Sequence, residues 1–160
     1  LGMKGSGKDE NKRAPMYWNK DGNAEGMCKG PADMDDFRMK FDSLEEQQED
    51  PDSIYNYVKQ VIRVRNQNPV IARGTTAYLE QYSGEQCFAL TRSDENSSLL
   101  MLGNTSAETA TVDLSGLTIG KTAAEELVLL GELYTGEETA ERTGAEITLP
   151  AWSILILGEE

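Results

Sequence analysis

Carboxylates are the most abundant reactive side chains in this sequence: 28 Asp and Glu stand against 15 Lys and Arg, and there is no histidine. Neighbouring carboxyl groups can divide acid and base work between them, but only where an apolar floor or a like charge pushes one pKa above the other. The pairs Asp35-Asp36, Glu45-Glu46, Glu125-Glu126 and Glu137-Glu138 lie in polar stretches without such a floor, and they read as solvated faces. The lack of histidine excludes Ser-His and Cys-His mechanisms within the chain and removes the commonest metal ligand. Cys28 and Cys87 match no zinc spacing and are too few for a disulfide scaffold, so free thiols are expected. The glycine-rich run G-M-K-G-S-G-K-D at residues 2–9 lacks the preceding strand and the spacing of a phosphate loop. No cofactor, no metal and no catalytic residue is expected in this chain.

The elements that would position any site divide at a step in charge. Residues 1–74 hold 12 basic and 13 acidic residues, a net of −1, while residues 75–160 hold 3 and 15, a net of −12. That step places a boundary near Gly74. A net charge of −13 argues against nucleic acid and anionic membranes as partners, because both demand clustered Lys and Arg. No stretch approaches the roughly 18 apolar residues that cross a bilayer, and the destination of the protein is left open. The mean hydropathy of −0.53 is low for a globule but does not imply wholesale disorder.

Residues 1–50 show no sustained apolar period and read as irregular. Residues 51–67 read as a helix, with Asp50 as its cap and Pro51 at its first position. Ile54, Tyr57, Val58, Val61, Ile62 and Val64 give it a broad apolar stripe that must be buried against something sizeable. Beyond Gly74 the pattern turns to short strands: residues 76–81 and 86–92 around Ser83-Gly84, then 98–102 and 110–114. Residues 127–130 and 133–134 follow, with a helical alternative over 123–130, and the chain closes with Ile147, Leu149 and the run 152–157. Short strands spaced by turns predict an antiparallel sandwich of about 85 residues.

The segment K-D-E-N-K-R-A-P-M-Y-W at residues 8–18 resembles a signature of α-amylase-family enzymes, in which an Arg precedes a small residue, Pro-Met, a variable residue and Trp. Gly2-Met3 matches the Gly-Met pair found before it. N-A-E-G-M at residues 23–27 is similar to the next landmark, usually Asn-Ala-Gly-Phe, with Glu25 inserted and the aromatic missing. The Trp often found after Gly30-Pro31 is Ala32 here. Gln47 or Gln48, D-P-D-S-I-Y-N-Y at 50–57 and V-I-R-V-R-N-Q-N-P at 61–69 resemble the last barrel helix, with Gly74 ending its trailing turn. I-T-L-P-A-W-S-I-L-I-L at 147–157 resembles the closing strands of the C-terminal β domain.

The resemblance implies an α+β fragment. Residues 1–74 would be the irregular loop after strand eight and the last helix of a (β/α)8 barrel, and residues 75–160 a Greek-key β sandwich. It also implies that the nucleophile Asp, the acid/base Glu and a second Asp, which lie on barrel strands four, five and seven, precede this segment. By that resemblance the parent is a retaining hydrolase acting on an α-glucan or maltooligosaccharide, and the fragment is inactive and mainly structural. The short link between Gly2-Met3 and Arg13 suits an open cleft and endo-acting α-1,4 cleavage; the alternative is an exo-acting α-glucosidase or oligo-1,6-glucosidase. Arg13 matches the signature Arg, so it either donates hydrogen bonds to sugar hydroxyls at the cleft rim or pins its own loop through a salt bridge. Lys8, Asp9 and Asn11 are further candidates for the same rim. Trp18 is expected in the core and Trp152 in the sandwich core or in interdomain packing. Tyr78 and Tyr82 are assigned to strand pairing rather than to a surface starch site. For the sandwich itself, carbohydrate binding is the alternative to a structural role. The helix stripe, if left uncovered in a fragment, would promote self-association together with the loop around Met27, Met34 and Met39.

Overall fold

The computed structural model describes residues 8–21, 25–35 and 40–159. Gly2-Met3, the glycine-rich run as far as Gly7, Asn23-Ala24, Asp36 and Met39 lie outside the described residues. Two compact units are formed, Leu1–Asn56 and Tyr57–Glu160. The packing division thus falls within the long helix, ahead of the charge step at Gly74.

The first unit is less irregular than its sequence suggests, since it contains two short helices: α1 (Asp9–Lys12) and α2 (Leu44–Glu49). The second starts with a complete capping box. Ser43 Oγ accepts from the Glu46 N–H at 3.4 Å, and the Glu46 carboxylate accepts from the Ser43 N–H at 3.0 Å and from its hydroxyl at 2.7 Å. Two further N-terminal donors of α2 are satisfied by the chain itself, Leu44 N–H by the Tyr17 carbonyl at 2.9 Å and Glu45 N–H by the Trp18 carbonyl at 3.0 Å. Trp18 therefore supports the loop through its main chain. Its side chain is not core as expected but exposed, as are those of Met16 and Phe41.

The long helix α3 (Ile54–Gln67) also begins later than expected. Asp50 does not cap it; instead Asp50 Oδ1 accepts from the Asp52 N–H at 3.0 Å in a preceding turn. Ser53 takes the capping role, its Oγ accepting from the Asn56 N–H at 3.2 Å and donating to the Gln47 carbonyl at 2.5 Å. Gln47 completes the junction by accepting the Tyr55 N–H on its side-chain oxygen at 3.2 Å.

In the second unit α3 is followed by one more turn, α4 (Val70–Arg73), ended where the Gly74 N–H meets the Val70 carbonyl at 2.9 Å. Ten strands then follow: β1 (Thr75–Tyr78), β2 (Cys87–Ser93), β3 (Ser98–Asn104), β4 (Ala110–Asp113), β5 (Thr118–Ile119), β6 (Thr122–Ala123), β7 (Val128–Leu133), β8 (Glu141–Thr143), β9 (Glu146–Leu149) and β10 (Ile154–Gly158). All pairings are antiparallel, in a five-stranded sheet ordered β1-β2-β3-β10-β7, a three-stranded sheet ordered β4-β9-β8, and the small β5-β6 pair. The last strand returns to lie beside β3, a long-range connection of the Greek-key kind. The stretch 123–130 resolves into a 3₁₀ turn at Ala124–Glu126 followed by strand, rather than the alternative helix.

The side-chain alternation of β3 and β10 explains the layering. Leu100, Leu102, Leu155 and Leu157 point into the core between the two sheets, where they meet Val112, Ile147 and Leu149. Leu99 and Ile156 point the other way, into a second core with Val64, Val70 and Leu133, flanked by Tyr57 and Val61. Strands covered on both faces read as unbroken apolar runs, as L-L-M-L and I-L-I-L do here. Gly131 on β7 makes the helix seat possible, because a Cβ there would lie 2.6 Å from Val64 Cγ1. One edge of the α3 stripe, Tyr57, Val61 and Val64, is thereby placed on the sheet. The other edge is not: Ile54, Val58 and Ile62 are 77%, 46% and 52% exposed.

Candidate functional site

The candidate substrate residues all belong to α1 and its flanks in the first unit. This single helical turn carries Asp9 and Glu10 at its start and Lys12 at its end, an order that complements the helix dipole. Its fixed point is Asn11, 3% exposed, whose amide makes two bonds to Asp35. Asn11 Nδ2 donates to Asp35 Oδ2 at 2.8 Å, and Asn11 Oδ1 accepts the Asp35 N–H at 3.0 Å. Lys8 Nζ meets the other carboxylate oxygen of Asp35 at 2.8 Å. That hydrogen bond, reinforced by the charge of Asp35, raises the Lys8 pKa above its ordinary value and keeps it cationic. Gly30 closes the same loop tightly, with a Cβ there falling 2.6 Å from Met34 Cε.

Asp35 is therefore not merely part of a solvated face. It is half-buried and holds two of the four candidate residues. Nothing in the local sequence marks this role, because Asp35 lies 24 residues from Asn11 and 27 from Lys8. Arg13 makes a different contact. Its Nη2 lies 2.8 Å from Asp9 Oδ2, one helical turn away, and both side chains are more than 60% exposed. The four residues thus separate into an anchored pair, Lys8 and Asn11, and an exposed pair, Asp9 and Arg13. An exposed ion pair of this kind contributes at most about 1 kcal/mol to stability, so the guanidinium is available to exchange partners.

The remaining sequence candidates are scattered. Glu46 belongs to the cap of α2, while Glu125, Glu126, Glu137 and Glu138 are exposed on turns of the sandwich. Cys28 and Cys87 are both free thiols, and burial pushes the Cys87 thiol up from its ordinary pKa. Among the described residues no group of three or more His, Cys, Asp or Glu side chains is arranged to hold a metal ion. No helix among them is long and apolar enough to cross a membrane. Trp152, expected in the sandwich core or in interdomain packing, is outside the sandwich core, 52% exposed on the turn between β9 and β10.

The whole of this chain aligns with Eubacterium rectale Amy13B at 36% sequence identity and a TM-score of 0.87. It aligns equally completely with an α-amylase from H. orenii, at 22% identity and a TM-score of 0.70. Over its whole length the chain is similar to enzymes of the α-amylase family. The trehalulose synthase MutB from Pseudomonas mesoacidophila MX-45 shares the fold over 89% of this chain and 24% of its own, with 24% identity and a TM-score of 0.65. The chain spans about 30% of the length of Amy13B and of the H. orenii amylase. No family model matches the sequence, and no curated protein does. The antiparallel sheets match the C-terminal β domain of these enzymes.

Proposed function

We propose that this chain is the C-terminal part of a retaining α-glucan hydrolase that cleaves internal α-1,4 bonds, and that the residues present here are non-catalytic. The observation that carries this reading is the 36% identity to Amy13B across the entire chain, together with the short link ahead of Arg13. On this reading residues 1–74 are the loop after the eighth barrel strand and the last barrel helix, and residues 75–160 are the β domain that covers that helix. Retaining hydrolysis needs two carboxyl groups roughly 5 Å apart across the scissile bond, held at strand ends of the barrel. None of the carboxylates described above stands in such a pair on an apolar floor, so the chemistry is assigned to the remainder of the longer polypeptide.

Arg13 then serves at the rim of the cleft. Its guanidinium offers five N–H donors in a fixed fork, and among the described residues its ion-pair partner is the exposed Asp9. Lys8 and Asn11 act on the same rim by fixing the loop through Asp35. The experiment uses both forms of the protein. The 160-residue chain should release no reducing sugar from soluble starch, whereas the longer polypeptide should release mixed maltooligosaccharides before glucose. Turnover by the short chain that disappears on mutating one of its own carboxylates would overturn the assignment. Glucose as the first and only product would replace endo action by exo action.

A further inference from the structure

Strand β4 is an outer strand of the three-stranded sheet, with β9 on one side and an open edge on the other. The register decides which of its main-chain groups face that edge. The Leu114 N–H donates to the Ala145 carbonyl at 3.0 Å, one step beyond the pair Asp113 and Glu146. Bonded and non-bonded pairs alternate along an antiparallel ladder, so Val112 with Ile147 and Ala110 with Leu149 exchange the ladder bonds. The Thr111 and Thr148 hydroxyls, 3.2 Å apart, mark the non-bonded pair between them. The N–H and carbonyl groups of Thr111 and Asp113 therefore point away from β9, into the open edge. The side chains alternate too, with Ala110 and Val112 buried and Thr111 and Asp113 exposed.

This edge is one wall of a trough of about 490 Å3, lined by Ala110–Asp113 on one side and by residues 81–87 on the other. The second wall is fixed by main-chain bonds. The Gly84 N–H meets the Cys87 carbonyl at 2.9 Å, the Ala89 N–H meets Ser83 Oγ at 2.9 Å, and the Thr105 N–H meets the Gln86 carbonyl at 2.7 Å. Glu85 and Asp113 are the charged residues of the lining, which holds no Lys or Arg. The Ser115 hydroxyl and N–H, 2.6 and 2.9 Å from Asp113 Oδ1, hold that carboxyl below its ordinary pKa and so keep it ionised. We propose that the trough is a docking site for an extended cationic peptide segment, which adds to β4 as a fourth strand through the N–H and carbonyl groups of Thr111 and Asp113. In such pairing the main chain supplies affinity and alternate side chains supply selectivity. Apolar residues of the segment fall beside Val112, and its Lys or Arg residues beside Asp113 and Glu85. Edge strands are commonly shielded by Lys or Pro, and A-T-V-D carries neither. A second copy of the chain is the poorer occupant, because each copy brings a net charge of −13 and its own Asp113 to the same edge.

The test titrates the 160-residue chain with the capped peptide Lys-Val-Lys-Val-Lys-Val-Lys, followed by calorimetry and by amide exchange. Saturable binding is expected with a Kd of about 0.1–1 mM, the range of a short single-strand contact. Exchange at the Thr111 and Asp113 amides should slow several-fold on binding, while that at Val112, already bonded to Ile147, stays unchanged. Thr111→Pro removes an outward N–H without touching the β9 ladder, a position where an edge strand tolerates proline. It should weaken binding roughly tenfold and leave Tm near that of wild type. Should Thr111→Pro fail to fold, the exchange pattern of the unaltered chain decides, and Glu85→Lys must weaken binding several-fold. A flat titration, or binding that leaves Thr111 and Asp113 exchange untouched, would overturn the site. So would equal affinity for Lys-Pro-Lys-Pro-Lys-Pro-Lys, which cannot donate from its prolines and would reveal attraction by charge alone. Concentration-dependent dimers abolished by Thr111→Pro would give the edge to a second copy of the chain instead, and the same protection produced by maltoheptaose would give it to a glucan; either result sinks the peptide site.

Discussion

Asn104→Ala removes the side chain on which the β9–β10 turn is hung. Its Nδ2 donates to the carbonyls of Glu108 at 2.7 Å, Pro150 at 3.0 Å and Leu149 at 3.2 Å. Its Oδ1 accepts from the N–H and the hydroxyl of Ser106 at 2.9 and 2.8 Å. The loss is not uniform across these bonds. Ser106 and Glu108 can turn to water, and the Pro150 carbonyl keeps Ser153 Oγ at 2.7 Å. What remains is a weakened carbonyl cluster at Leu149 and Pro150, both buried, and a strained Trp152 with fewer restraints. At roughly 1–3 kcal/mol for each buried group left short of a partner, the substitution should cost about 2–4 kcal/mol. For a chain of this size that lowers Tm by roughly 5–15 °C. Urea denaturation followed by far-UV circular dichroism should show a lower midpoint with an unchanged slope. Ser106→Ala, which keeps the Ser106 N–H bond to Asn104, should cost under about 1 kcal/mol. If Asn104→Ala unfolds within about 0.5 kcal/mol of wild type, the turn is held by something other than this network.

Three further outcomes are expected. In the longer polypeptide, Arg13→Ala should lower kcat/KM on maltooligosaccharides by roughly tenfold to a few hundredfold, the effect of losing a charged hydrogen bond; unchanged kinetics with a lowered Tm would assign Arg13 to pinning its loop. The Ser43 hydroxyl and N–H hold the Glu46 carboxyl below its ordinary pKa, so its contribution is present above the unfolded value near 4.5 and is lost as pH falls through the folded one. Amide exchange at residues 44–47 should therefore accelerate as pH drops below about 4.5 relative to the intrinsic rate, and Glu46→Gln should flatten that dependence. Val58→Lys/Ile62→Lys on the exposed edge of α3 should leave stability within about 0.5 kcal/mol while abolishing any concentration-dependent sedimentation; a loss beyond about 1.5 kcal/mol would mean that this edge is covered in solution.

What could be read from the sequence follows the length scale of the forces involved. Strands β3 and β10 were visible because each buries both faces and so carries an unbroken apolar run. Strand β8 was not visible, since E-R-T is exposed throughout and owes its place to pairing with β9. Helix α2 lacks an apolar stripe, and only Ser43 with Glu46 at capping-box spacing announces it. Trp18 was expected in the core, and Trp152 in the sandwich core or in interdomain packing, on the general ground that indoles bury; within this chain each lies on a surface segment whose main chain does the structural work. The site divides in the same way. Arg13 and its neighbours stand out as a local motif, but the Asp35 that orders two of them is brought in by the fold over 24 to 27 residues.

Helix α3 joins these observations to the proposed function. Its apolar positions form two stripes. Tyr57, Val61 and Val64 meet the outer face of the five-stranded sheet, where Gly131 clears space for Val64. Ile54, Val58 and Ile62, spaced at i, i+4 and i+8, meet solvent. A helix that only capped a sandwich would need the first stripe alone, and polar residues at the second would be better tolerated in water. Burying three such side chains stabilises by roughly 1.5–3 kcal/mol each, an upper bound set by the extended-chain reference. That gain is comparable with the whole net stability of a domain, about 5–15 kcal/mol. A sequence that keeps both stripes is built for a helix with a partner on each side. Under the proposed function, barrel strands and helices would cover the second stripe while the β domain covers the first.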